Sequence, residues 1–318
     1  NLKEPEGREL LLKLAETADV MVEAFRPGVV KRLGVDYAAV AARNPKIVYC
    51  SISAFGQDSS LAKKPAHDVV VQALAGLIDL NRGKTDHQPT LPNVPFADAS
   101  ASLMALSAIL MALFRREATG EGDYIDLAMY DAAIAWTPNV LGPTFGEDRA
   151  PRPKEMRSIG GSALTNLYET SDGEFLAFAG PEIKFATNLK HALGRPDLIE
   201  VAKVPPGPGQ ADLRAYFTKV FKTKTLAEWK VFLEPIDCAW SWVRNLKEAF
   251  EDPYTEERGM IFRDQDGHRH VGPPIKFMKE PPQPNPNVPG FGEHSEALAL
   301  EAGLTAEAAK ALKSKGVI

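Results

Sequence analysis

Proton transfer near neutral pH calls on histidines and carboxylates, and two such residues stand about thirty positions apart here. His67 lies in Lys64-Pro65-Ala66-His67-Asp68, and Asp98 in Pro95-Phe96-Ala97-Asp98-Ala99-Ser100. Each precedes an apolar run with helical period, so each is expected in the first turn of a helix. Such ends favour an anion and disfavour a cation, by ~0.3–1 kcal/mol where exposed. Asp98 is therefore expected to stay ionised and His67 to stay neutral, with a lowered pKa. Helix-end amides are also placed to hold a developing enolate oxygen. Each residue has a plainer reading too. His67 suits a cap or the surface, and Asp98 suits an N-cap worth ~1 kcal/mol.

The flanking elements must bring the two together. Glu6 to Ala18 reads as an amphipathic helix after Pro5. Val20–Phe25 reads as a strand breaking at Arg26-Pro27-Gly28, Asp36 caps a helix to Arg43, and Ile47–Ala54 is the next strand. Asp68–Leu80 and Asp98–Arg116 read as helices. In the second, Leu103, Leu106, Leu110, Leu113 and Phe114 follow the helical period, with small residues between them. Tyr124–Ala128 is a strand and Tyr130–Val140 a helical stretch. Alternating helix and strand implies an α/β fold with a parallel sheet, whose ligands bind beyond the carboxyl ends of the strands.

A Gly-, Pro- and Arg-rich passage over 141–158 marks a change of domain. A hairpin around Ser171-Asp172-Gly173 follows, then helical patterns at 183–193, 211–222 and 225–233. The proline-rich stretch 273–290 reads as an extended return, ending in two short helices at 293–300 and 305–312. The expected division is 1–157 for a large domain, 158–272 for a smaller α+β domain, and 273–318 returning to complete the first.

Composition narrows the partners. The chain of 318 residues is 44% hydrophobic and 25% charged, as in ordinary globular proteins. A net charge of −5 offers no basic surface for nucleic acid. No fully apolar run reaches ~18 residues, so a membrane span and a membrane partner are not expected. Two distant cysteines, Cys50 and Cys238, point to a reducing, cytoplasmic setting and not to a disulfide framework. Cys50, in an apolar strand pattern, is expected to be a core residue. His268 and His270 resemble a metal pair, but no ligand cluster supports them and no metal is expected.

Several ordered motifs resemble the class III CoA-transferase family. They are Pro5-Glu6-Gly7-Arg8-Glu9-Leu10-Leu11, Phe25-Arg26-Pro27-Gly28-Val29, Asn44-Pro45-Lys46-Ile47-Val48-Tyr49, Gly120-Glu121-Gly122 before a strand, and Tyr168-Glu169-Thr170-Ser171-Asp172-Gly173. The tail motifs Gly292-Glu293-His294-Ser295 and Lys315-Gly316-Val317-Ile318 also fit, so the resemblance covers essentially the whole chain. The family usually carries about fifty further residues at the front, with the first strand and a CoA-holding arginine, so this chain is read as starting inside a longer product. Any targeting signal there lies outside this sequence.

The resemblance implies a doubly wound large domain, a smaller α+β domain and an interlocked homodimer. In that dimer the active site joins the large domain of one protomer to the small domain of the other. It implies an acyl-CoA substrate and no cofactor beyond the coenzyme A that the substrate carries. Family transferases use an aspartate to form an acyl anhydride and then an aspartyl-CoA thioester; family racemases move the proton α to the thioester with a base on each face. Asp98 matches the reactive aspartate of both. His67 and Glu182, in Ala179-Gly180-Pro181-Glu182, match the racemases, whereas formyl-CoA transferase has tyrosine at the histidine position.

CoA-binding positions implied are Lys3, Phe25, Arg26, Arg32 and Leu33, with Asp68 near the pantetheine arm. A lysine found in formyl-CoA transferase two residues before that tyrosine is Pro65 here. The mobile glycine-rich lid of the transferases is reduced to Ser158-Ile159-Gly160-Gly161-Ser162, which favours a racemase. The resulting expectation is a racemase or epimerase of 2-methylacyl-CoA thioesters. The alternatives are a CoA-transferase moving CoA between carboxylic acids, and a non-catalytic acyl-CoA-binding protein.

Overall fold

The computed structural model describes residues 1–82, 88–180 and 182–318. The chain forms two compact units, Asn1–Gly142 with Pro289–Ile318, and Pro143–Val288. The junctions thus follow Gly142 and Val288, not 157 and 272. The Gly/Pro/Arg passage is held by the second unit: Arg149 bridges Glu147 and Glu155, and Arg214 Nη1 donates to Gly161 O at 2.6 Å. Beyond 272, Gly272 N–H donates to Met260 O at 2.8 Å, keeping the start of the return segment with that unit as well.

The first unit begins with α1 (Pro5–Ala15), β1 (Val20–Glu23), α2 (Val29–Leu33), α3 (Tyr37–Ala41) and β2 (Val48–Ser53). It continues with α4 (Asp68–Leu74), α5 (Leu77–Leu80), α6 (Phe96–Thr119), β3 (Asp123–Ala128) and α7 (Met129–Ala135). The strands lie parallel in the order β1-β2-β3, with Val20 beside Val48 and Val48 beside Asp123. The expected parallel α/β class is present. The reversal of strand order that defines a doubly wound sheet is absent among the described residues, because each crossover adds its strand on the same side as the one before.

Asn44 explains the Asn-Pro-Lys motif. Its Nδ2 donates to Ala15 O and Ala18 O, both at 2.9 Å, and its Oδ1 accepts Lys46 N–H at 3.0 Å, tying the end of α1 to the start of β2. Leu12, Val35, Val40, Ile47 and Tyr49 pack below the sheet, and the Tyr49 hydroxyl donates to Val35 O at 3.0 Å. Leu10 packs with Ala299 and Ala309, so the C-terminal helices Ser295–Glu301 and Ala306–Ser314 complete this unit.

Two helical readings change. Asp68–Leu80 is two helices, because Gly76 takes φ 78° and interrupts the run. In α6 the expected faces are inverted: Ala97, Ser100, Ala101, Ala105 and Ala112 are buried, while Leu103, Leu106, Leu110, Met111 and Phe114 are 50–83% exposed. Small residues let this helix approach β2, β3 and α7 closely and leave its large apolar face outward. At 24 residues α6 is also long and apolar enough, by length and composition, to cross a membrane. A count of consecutive apolar residues overlooks this, because Asp98 and the serines interrupt it.

The second unit is α+β. β4 (Thr165–Glu169), β5 (Phe175–Ala179) and β6 (Trp240–Trp242) form an antiparallel sheet with Glu169 beside Phe175, and β7 (Ile261–Arg263) pairs with β8 (Arg269–Val271). Phe217, Phe221, Trp229, Leu213 and Leu233 from helices Ala211–Phe221 and Leu226–Leu233 fill the core over the larger sheet. The Trp229 indole N–H donates to Phe221 O at 2.8 Å, so its one polar atom is satisfied.

Candidate active site

The carboxyl ends of all three parallel strands open into one cleft of about 370 Å³. Ala24 and Phe25 line it after β1, Ser53 and Ala54 at the end of β2, and Met129 after β3. This is where a parallel sheet is expected to hold a ligand. His67 and Asp98 line the same cleft, from α4 and α6 respectively.

His67 is the N-cap residue of α4, in extended conformation, with its side chain exposed at the mouth of the cleft. Its carbonyl accepts Val70 N–H at 2.9 Å, so the imidazole is displayed while the backbone starts the helix. Asp98 is the third residue of α6, after Pro95 at the N-cap, so it does not cap the helix. Its carboxyl is also shifted from the ordinary value. Burial on the protein side and the nearby Asp68 push its pKa up, and His67 draws it back only in part. The expected helix-end stabilisation is outweighed, first by burial and then by another carboxylate that occupies that end.

That carboxylate belongs to Asp68, 8% exposed. Its Oδ1 accepts Ala97 N–H at 2.8 Å and Asp98 N–H at 3.2 Å, and its Oδ2 accepts Gln72 Nε2 at 2.7 Å. The first amides of α6 are therefore taken by Asp68 and are not offered to an enolate oxygen, contrary to expectation. Phe55, Val71, Ala97 and Ala133 form a small apolar floor under both helix starts.

The expected CoA residues divide. Phe25 and Arg26 line the cleft; Lys3 and Arg32 are exposed outside its lining, and Leu33 packs against the core beneath the sheet. Lys64, which the motif comparison at Pro65 does not point to, also lines the cleft. The cation absent at that position is supplied one residue earlier. Asp68, expected beside the ligand, has both carboxylate oxygens bonded within the protein.

Glu182 belongs to the second unit, where it is the exposed N-cap residue of helix Ile183–Ala192. The shortened glycine loop is pinned: Gly161 N–H donates to Met156 O at 2.8 Å, and a side chain at Gly161 would strike that carbonyl. Burial raises the thiol pKa of Cys50 and lifts that of Cys238 to about 11, which leaves both poor nucleophiles at neutral pH. His268 Nδ1 and His270 Nε2 both contact Asp264 Oδ2, at 3.2 and 2.9 Å. Asp264, Asp266 and His268 bring their ligand atoms within 4.8 Å of one another on an exposed turn, a weak metal arrangement far from complete.

The sequence profile of CoA-transferase family III matches residues 1–295. The chain belongs to this family. Human α-methylacyl-CoA racemase is 30% identical over 328 residues, spanning 100% of this chain and 83% of that protein. Acetyl-CoA:oxalate CoA-transferase of Acetobacter aceti is 29% identical over 307 residues, spanning 95% and 78%. Among solved structures, a CAIB/BAIF family protein of Brucella suis superposes with a TM-score of 0.79 at 27% identity, covering 95% of this chain and 80% of its own. Racemase and transferase relatives are thus about equally similar, and the choice between the two chemistries falls to the site residues.

Proposed function

We propose that this family III member acts on acyl-CoA thioesters and exchanges the proton α to the thioester, interconverting 2-methylacyl-CoA enantiomers. The observation that carries the reading is the meeting of His67 and Asp98 in one cleft, from two separate helix starts. A transferase needs only the aspartate, whereas a two-base reaction needs both.

The His67 imidazole takes the α-proton of one enantiomer, and the C–H electron pair moves into an enolate. Asp98, entering protonated, delivers its proton to the opposite face of the α-carbon. The products are the other enantiomer, a His67 imidazolium and an Asp98 carboxylate, and the reverse direction starts from that state. Burial and the neighbouring Asp68 raise the Asp98 pKa, the direction that helps a carboxyl carry a proton. Glu182 is assigned to assist His67 when it becomes cationic. Arg26 and Lys64 supply positive charge to a CoA phosphate or to the enolate at the cleft. Base and acid are both side chains, so no cofactor beyond the coenzyme A of the substrate is invoked.

The outward apolar face of α6 is assigned to a second copy of this chain, in line with the dimer implied by the resemblance. The catalytic assignment is tested by α-proton exchange in His67→Ala and Glu182→Gln. The reading expects loss of exchange in the first and a partial loss in the second. Full exchange by His67→Ala contradicts it.

A further inference from the structure

A two-base reaction fails if its bases drift, and His67 and Asp98 sit on different helices joined by a long segment. One side chain spans both helix starts. Asp68 is the first residue of α4, directly after His67, and its Oδ1 holds two amides of the first turn of α6. Its other oxygen is held by Gln72 Nε2, which also donates to Val94 O at 3.3 Å in the segment leading into α6. The group is buried, so these bonds form away from competing water and are charge-assisted.

We propose that Asp68 is a positioning residue for the proton-transfer pair, a buried clasp that ties the start of α6 to the start of α4 and thereby sets how His67 and Asp98 face the substrate. The proposal rests on the proposed function only for its kinetic readout. The clasp also acts electrostatically. Asp98 feels the charge of Asp68 and of His67, from α4 and just ahead of it, and Arg26 and Lys64 line the same cleft. Among the lining residues, β2 and α7 contribute only Ile52, Ser53, Ala54 and Met129, none of them ionisable. Asp68 is thus the anion that opposes ionisation of Asp98.

Asp68→Asn and Asp68→Glu in the full chain separate charge from position. Asp98 titration is followed by carboxyl-carbon NMR, with Asp98→Asn assigning the signal, and turnover is measured as α-proton exchange. In Asp68→Asn the Asp98 midpoint falls towards the ordinary carboxylate range, as expected on losing a neighbouring anion. In Asp68→Glu the charge remains and the midpoint stays high, but the clasp is displaced and turnover falls by about a hundredfold, with KM for the acyl-CoA kept within about twofold. An unchanged midpoint in Asp68→Asn, or wild-type turnover in Asp68→Glu, overturns the proposal. If Asp68→Asn does not fold, Asp68→Glu decides alone. If the wild type exchanges no α-proton, the functional reading fails, while the titration arm still decides the clasp.

Discussion

Asp68 Oδ1 accepts the backbone N–H of Asp98 at 3.2 Å, so two acidic residues thirty positions apart are joined at the start of one helix. The bond anchors the backbone of Asp98 while the neighbouring charge burdens its side chain. Burial is the larger burden, and together they raise the Asp98 pKa.

The first prediction concerns stability against pH. Asp98 has a folded-state pKa above its unfolded value, so the folded state holds the extra proton between the two. Through that window the wild type loses stability as pH rises, and above it the cost of an ionised Asp98 is fully present. Asp98→Asn carries no such cost. It is expected to have a higher Tm than the wild type near pH 7, with the difference vanishing below the ordinary carboxylate range. A Tm at pH 7 equal to or below that of the wild type contradicts this.

Gly122 supplies the second. Its N–H donates to Pro45 O at 3.0 Å, and a Cβ there would lie inside contact distance of the Ile47 carbonyl. Gly122→Ala is expected to destabilise the first unit by ~1–3 kcal/mol through overpacking where β3 meets β2. Urea unfolding followed by circular dichroism measures it. Gly120→Ala, with nothing within 4 Å of its added carbon, is strained by its φ of 73° and not by a clash.

The third concerns α6. Leu110 is 57% exposed beside Leu106, Met111 and Phe114. On the proposed pairing the wild type is expected to sediment as a dimer and Leu110→Glu as a monomer. The substitution should leave the α-helical spectrum unchanged, because the buried face of α6 is its alanines. A monomeric wild type, or a variant that is dimeric, contradicts the assignment of this face.

Much of this was legible in the sequence because it is local. The strands at Val20, Val48 and Asp123 follow from apolar runs bounded by turn residues, and the hairpin at Thr165–Ala179 from Ser171-Asp172-Gly173. His67 and Asp98 were findable as helix starts. What escaped depends on contacts distant in sequence. The Asp68 carboxylate reads locally as a first-turn acid, and only the folded chain brings Ala97 and Asp98 to it. The faces of α6 were misassigned because hydrophobic period does not say whether leucines or alanines pack against a sheet. Arg149 and Arg214 turn a linker-like passage into part of a domain through side-chain bonds that composition does not show.

The most direct test of the two-base account is incubation of one 2-methylacyl-CoA enantiomer with the wild-type chain in deuterated water, without any acceptor acid. The account predicts deuterium at the α-carbon together with appearance of the other enantiomer, both abolished in Asp98→Asn. Recovery of undeuterated, unracemised thioester, with CoA transferred only when a second carboxylic acid is added and an adduct on Asp98, would contradict it.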